Sequence, residues 1–169
     1  MAWADSSPRV VVAVVSQMAA RLADMATVSS ESIEFENDGI IDSLTLSMAP
    51  SLFHENLKRE ISSAERENRE LVLLSLSLTL EKFPSLARAQ AELIALAFGL
   101  KQSLRGGDFF SRISDSGFWV LLRASEGELG SIIDRLGFEG RGDLTVELVA
   151  RRKDSYDEWI NRIDLIHFR

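Results

Sequence analysis

Arginine and aspartate three residues apart, in Arg105-Gly-Gly-Asp108, open the stretch of this chain best supplied with reactive and binding groups. A guanidinium is planar and permanently charged, which suits it to phosphates and base edges, and a carboxylate accepts hydrogen bonds in return. The same two residue types at a helix-to-strand junction also serve solvation and capping, so the spacing alone does not choose between these uses. The row Ser75-Leu-Ser77-Leu-Thr79 offers hydroxyls, but no His or Lys base accompanies it in the sequence. It therefore reads as a polar sheet face rather than a set of nucleophiles. His54 and His167 are far apart and lack a Cys or a spaced carboxylate pair to complete a metal or base site. The chain has no cysteine, which excludes disulfides, thiol nucleophiles and zinc-thiolate centres.

These residues need elements to hold them. Ser7-Pro8 caps a helix running to about Met25, with Val11, Met18 and Met25 on a seven-residue repeat and Val14, Val15 and Leu22 between them. That stripe either docks on the core of its own chain or pairs with a second protomer as a short coiled coil. Residues 27–41 are polar and contain the turn signal Asn37-Asp38-Gly39, which marks a linker or small hairpin.

Phe53, Leu57, Ile61 and Ala64 then define one helical face ending near Arg69, with Glu55/Arg59 and Glu65/Arg69 as i,i+4 pairs opposite. Leu71 to Leu80 alternates as a strand. Ser85 caps a helix to about Leu104 with Leu86, Leu93, Leu96, Leu100 and Leu104 inward. Residues 105–122 read as a β-hairpin whose tip is Ser114-Asp115-Ser116-Gly117. Arg112 falls on its first strand as a supporting residue. Ser125…Glu128 and Ser155…Glu158 are capping boxes, the first for a helix stopped by Gly137. Between these helices Leu144 to Ala150 alternates as a strand. Trp119 and Trp159 take core-facing positions.

The order α-β-α-β-β-α-β-α predicts an α+β fold, a palm-like (ferredoxin-like) and mostly antiparallel sheet flanked by helices, behind an N-terminal helical extension. The expected division is residues 1–41 and 42–169. With 169 residues the chain can bury a sizeable core. A net charge of −7 argues against binding a nucleic-acid backbone. The run Val10 to Val15 is too short to span a bilayer and lacks the pattern of a signal peptide, so a soluble cytoplasmic protein is expected.

Two segments together carry a resemblance. Arg105-x-x-Asp108 is followed after five residues by Ser114-Asp115-Ser116-Gly117-Phe118, and Asp42-Ser-Leu44-Thr45 is followed by Phe53. This resembles the GGDEF family, the bacterial diguanylate cyclases that make cyclic di-GMP from GTP. In that family Arg-x-x-Asp precedes Gly-Gly-Asp/Glu-Glu-Phe at this offset, and the domain opens with Asp-x-Leu-Thr-Gly-Leu-x-Asn-Arg. The likeness covers about residues 42–165. It departs at Leu46, Ala49 and Pro50, which stand where the opening motif has Gly, Asn and Arg.

The resemblance implies a fold that has lost its chemistry. The family holds divalent metal on an Asp of the first strand and on the acidic residue of the hairpin tip. Here the acidic pair of the tip aligns with Ser116 and Gly117. The first-strand pair aligns with Ser77 and Thr79, or with Thr79 and Glu81 one pleat on. Ser114 and Asp115 put side chains where glycines let the nucleotide approach, and Asp115 reads as a turn aspartate. The segment that helps hold guanine is missing, since Phe83-Pro84-Ser85-Leu86 passes directly into the helix. No metal, cofactor or catalysis is expected.

In the family the Arg-x-x-Asp also binds the product, helped by an arginine of the helix after the hairpin. Arg105, Asp108 and Arg135 match those positions and make a ligand site for cyclic di-GMP the implied function. Two arginines and one carboxylate fall short of the roughly 8 kcal/mol that a micromolar complex needs, so a second ligand molecule, a protein partner or a homodimer would have to contribute. The rival reading is a nucleotide-independent interaction module that keeps only the fold.

Overall fold

The computed structural model describes residues 32–167. The helix expected from Ser7-Pro8 to about Met25 lies outside them. Among the described residues there are four α-helices and four strands: α1 (Pro50–Glu67), β1 (Val72–Leu78), α2 (Leu86–Ser103), β2 (Phe109–Arg112), β3 (Gly117–Leu122), α3 (Leu129–Leu136), β4 (Leu144–Ala150) and α4 (Tyr156–His167). The strands form one antiparallel sheet in the order β2-β3-β1-β4. No helix among the described residues is long and apolar enough to cross a membrane.

β1 is central, and its composition follows from that position. Val72, Leu74, Leu76 and Leu78 face one way, with Phe118 and Val120 of β3, onto Leu93, Leu96 and Leu100 of α2 and Ile132 of α3. Leu71 and Leu73 face the other way, with Trp119 and Leu121, onto Phe53, Leu57 and Ile61 of α1 and Trp159 and Ile163 of α4. A strand covered on both faces must be apolar on both, which the start of β1 satisfies. Ser75 and Ser77 break the rule on the α4 side, so something polar must meet them there.

Local signals act where the sequence places them. Ser85 Oγ accepts from Arg88 N at 3.2 Å. Gly137 closes α3 in the left-handed conformation. The Ser125/Glu128 box first winds a 3₁₀ turn and only then α3. The Asn37-Asp38-Gly39 turn is held by Asn37 and Asp38 side chains accepting from the amides that follow, and Asn37 bridges antiparallel to Asp42. β1 stops at Leu78 because Thr79 N turns to Asp143 O at 2.8 Å and Leu80–Lys82 wind into a 3₁₀ turn. One expected pair does not form. Asn68 ends α1 with φ +53, so Arg69 leaves the helix and reaches Glu60 and Glu67 instead of Glu65, which pairs with Arg151.

Candidate functional site

Arg105 and Asp108 lie in the loop between α2 and β2, and the aspartate shapes that loop. Asp108 Oδ2 accepts from Arg105 N at 3.1 Å and Oδ1 from Arg123 N at 3.0 Å, while Asp108 N donates to Arg105 O at 3.0 Å. Gly107 sits at φ +102, and a Cβ there would collide with the Arg123 guanidinium. Arg123 in turn donates to Glu60 Oε2 at 2.5 Å, and Arg69 to Glu60 Oε1 at 3.0 Å, so the loop is braced from α1. Arg105 itself is exposed, and its guanidinium makes no hydrogen bond or ion pair among the described residues. Its charge reaches Glu128, whose carboxyl is held below its usual range chiefly by hydrogen bonds from Ser125, with a smaller contribution from Arg105.

Arg135 occupies the last turn of α3, exposed. Glu128 closes the 3₁₀ turn before α3, and Arg135 lies at the other end of that helix. Arg105 and Asp108 are therefore joined directly, whereas Arg135 has no hydrogen bond or ion pair to either.

The hairpin tip is built on a buried cation. Arg112 and Asp42 are both 0% exposed and paired, Nη1 to Oδ2 at 3.1 Å. Arg112 also donates from Nε to Ser114 O at 3.0 Å, and from Nη2 to Asp115 O at 3.0 Å and Glu34 O at 3.2 Å. Asp42 Oδ1 accepts from Thr45 N at 2.7 Å and Thr45 Oγ1 at 2.6 Å. Arg112 is thus a support for the hairpin, as its place in the sequence suggests, and it ties the tip to the Asp42-Ser-Leu-Thr45 turn.

Beside that tip, β1 presents hydroxyls to an imidazole. Ser77 stands opposite Gly117, and Leu78 N donates to Ser116 O at 2.9 Å. Glu81 lies beyond the strand, exposed in the 3₁₀ turn. His167 Nδ1 is 2.6 Å from Ser75 Oγ and 3.5 Å from Ser77 Oγ, and Nε2 is 3.4 Å from Ser114 Oγ. The imidazole packs so closely over Gly117 that no side chain fits there. This corrects the expectation that the Ser75–Thr79 row has no histidine beside it: α4 brings one across 92 residues of chain. The available clue was spacing, because Trp159, Ile163 and His167 recur every four residues on the buried stripe of α4.

Burial pushes the His167 imidazole below its ordinary range. His54 shifts the same way, chiefly through burial and then through Lys58, against an opposing pull from Asp164. His54 Nδ1 lies 2.7 Å from Tyr156 Oη, and both imidazoles meet Trp119 edge-on at 5.8 and 6.2 Å. Burial therefore favours the neutral form of both in the fold, whereas unfolded histidine takes its proton at about pH 6.5. Stability from this pair is full above that pH and is lost as pH falls toward the depressed folded values. Urea midpoints between pH 8 and pH 5 should therefore fall, and His54→Gln/His167→Gln should flatten the profile. A profile unchanged by the double substitution would refute the assignment.

An imidazole with three hydroxyls forms a neutral hydrogen-bonding cluster. Magnesium instead takes carboxylate and phosphate oxygens. The residues at the tip do not fit a divalent-metal pair. Asp115, at the exposed turn, engages Arg112 through its backbone carbonyl.

No family model matches this sequence, and no curated protein matches it. Solved structures do. The GGDEF domain of DgcB from Caulobacter crescentus, in complex with c-di-GMP, superposes with a TM-score of 0.65 at 13% identity, over 80% of this chain and 91% of that one. The fold is that of a GGDEF domain. The GGDEF-only form of PA1120 (TpbB or YfiN) from Pseudomonas aeruginosa gives 0.64 at 22% identity, over 76% and 86%. Diguanylate cyclase SiaD from Pseudomonas aeruginosa, solved with its activator SiaC, gives 0.63 at 19%, over 91% of this chain and 64% of that one. The Asp42–Thr45 turn and the 105–122 hairpin are thus set in a GGDEF frame, while the tip carries a Ser/His cluster.

Proposed function

We propose that this chain is a catalytically silent GGDEF domain that reads cyclic di-GMP through Arg105, Asp108 and Arg135. One observation carries the reading. Asp108 fixes the loop through both carboxylate oxygens and leaves the Arg105 guanidinium presented to solvent. A group held ready in this way avoids part of the ordering cost of binding. Arg135 stands exposed in the last turn of α3 as the second arginine of this reading. The DgcB structure with c-di-GMP is a precedent for this frame binding that ligand. Silence as a cyclase follows from the neutral cluster of Ser75, Ser77, Ser114 and His167 at the tip. Binding would act on a protein partner or a second copy of the chain in the cytoplasm.

Isothermal titration with cyclic di-GMP should give micromolar binding that weakens at least tenfold in Arg105→Ala and less in Arg135→Ala. A tenfold loss corresponds to about 1.4 kcal/mol. Equal binding by Arg105→Ala, or no heat from the unaltered protein at high ligand concentration, would remove the receptor role. Cyclic di-GMP formed from GTP and Mg²⁺ would remove the silence.

A second reading, a nucleotide-independent interaction or dimerisation module, rests on Ile94 and Phe98. They lie four residues apart on α2 and are 45% and 65% exposed. The SiaD–SiaC complex shows a protein of this fold bound to a protein activator. Under this reading the mass in solution is independent of nucleotide and changes in Phe98→Glu.

A further inference from the structure

We infer that the free edge of β4 is a self-pairing surface, along which two copies of this chain join antiparallel with Leu148 at the two-fold axis. The inference is independent of the receptor reading above. A sheet edge presents unpaired amides and carbonyls, and natural proteins cover or blunt it. One edge of this sheet is covered. At β2, Met48 bridges to Ser111, whose Oγ donates to Met48 O at 2.7 Å. The β4 edge has no such cover among the described residues. The strand contains no proline or lysine, and its register with β1 runs from Leu144 to Ala150 without a bulge.

The ladder shows which groups face outward. Asp143 O accepts from Thr79 N at 2.8 Å, and Arg151 N donates to Leu71 O at 2.9 Å. Hydrogen-bonded pairs of an antiparallel ladder recur every second residue, so Thr145, Glu147 and Val149 also turn their backbone groups to β1. Val146 and Leu148 turn theirs to the open edge. Of the flanking even positions, Leu144 N donates to Arg141 O at 3.3 Å and Ala150 O accepts from Arg162 Nη2 at 2.6 Å.

The side chains point to a second copy as the occupant. Leu148 is 42% exposed on the face that α3 covers, and Leu165 of α4 is 69% exposed on the opposite face. Both border one groove of about 340 Å³ along the edge. A lone extended peptide meets the edge but brings no helix to Leu165. A second copy brings a strand and a helix together, and two-fold symmetry turns each leucine toward its own equivalent. Charge then fixes the register. A seam centred on Glu147 sets carboxylate against carboxylate, which opposes pairing. Centred on Leu148, it sets Leu148 against its copy and Val146 against Ala150. Glu147 then faces Val149 of the copy, next along that face to the copy's Arg151. Ala150 O keeps a second lone pair for Val146 N.

Sedimentation of the full chain across concentration, with amide hydrogen exchange measured alongside, tests the pairing. The mass should rise from 18.8 kDa toward twice that value. Val146 and Leu148 amides should exchange at least tenfold more slowly in the dimer, while those of Glu147 and Val149, already bonded to β1, keep one rate. Leu148→Lys should remain a single protomer where the unaltered protein pairs, with a melting temperature close to the original because the position is exposed. A mass of one protomer up to millimolar concentration would overturn the inference. So would a dimer in which Val146 and Leu148 exchange at the monomer's rate, or one that Phe98→Glu dissociates and Leu148→Lys does not, since either places the seam elsewhere.

Discussion

Asp42→Ala should lose about 3–5 kcal/mol of unfolding free energy, because it strands a fully buried guanidinium without its counter-charge. Arg112 has no exposed surface, so water cannot replace the carboxylate. The Asp42-Ser-Leu-Thr45 turn loses its organising acceptor at the same time, since Thr45 N and Oγ1 both donate to Asp42 Oδ1. Swapping a buried ion pair for apolar residues is often harmless. Here Asp42→Leu/Arg112→Met should still be destabilised, though less than Asp42→Ala. Arg112 also donates to the carbonyls of Glu34, Ser114 and Asp115, which the methionine would leave unpaired. Urea denaturation of the two variants decides the matter. A loss below about 1 kcal/mol in Asp42→Ala would place the pair among weak surface bridges.

Trp159→Ala should be as damaging, at about 3–5 kcal/mol, the usual range for a large buried aromatic. Trp159 is fully buried among α1 and β-sheet side chains, and its Nε1 donates to Val149 O at 3.0 Å. Trp159→Phe keeps most of the apolar contact and should lose about 1 kcal/mol for the hydrogen bond, together with a smaller packing loss. The consequence reaches the hairpin tip, because Trp159 is two turns before His167 on the same stripe. In Trp159→Ala an NMR titration should find the His167 imidazole back near its ordinary range. An unchanged titration alongside a destabilised fold would show that the cluster with Ser75 and Ser114 does not depend on how α4 is seated.

Local chemistry in the chain was sufficient for the frame. The stripe Phe53-Leu57-Ile61-Ala64 can only be one buried helical face, and residues 109–122 can only pair about a polar tip. The strand at Leu144 to Ala150 and the capping boxes at Ser125 and Ser155 follow the same short-range rules. Arg69 marks their limit, since a left-handed residue at position 68 redirects everything after it and the backbone conformation of an asparagine is not written in its neighbours. Arg105 and Asp108 meet within a single turn, but the loop that holds them also depends on Arg123, which the sequence did not single out.

The sequence by itself determined the order of elements, the two faces of β1 and the Ser114-Asp115-Ser116-Gly117 chemistry of the tip, all of which depend on residues near each other in the chain. Only tertiary structure decided that His167 closes on Ser75 and Ser114 and that Arg112 is buried against Asp42. Each of these joins residues separated by more than fifty positions. Their meeting depends on how helices seat on a twisted sheet, and periodicity along a chain reports which face is buried but not what it is buried against.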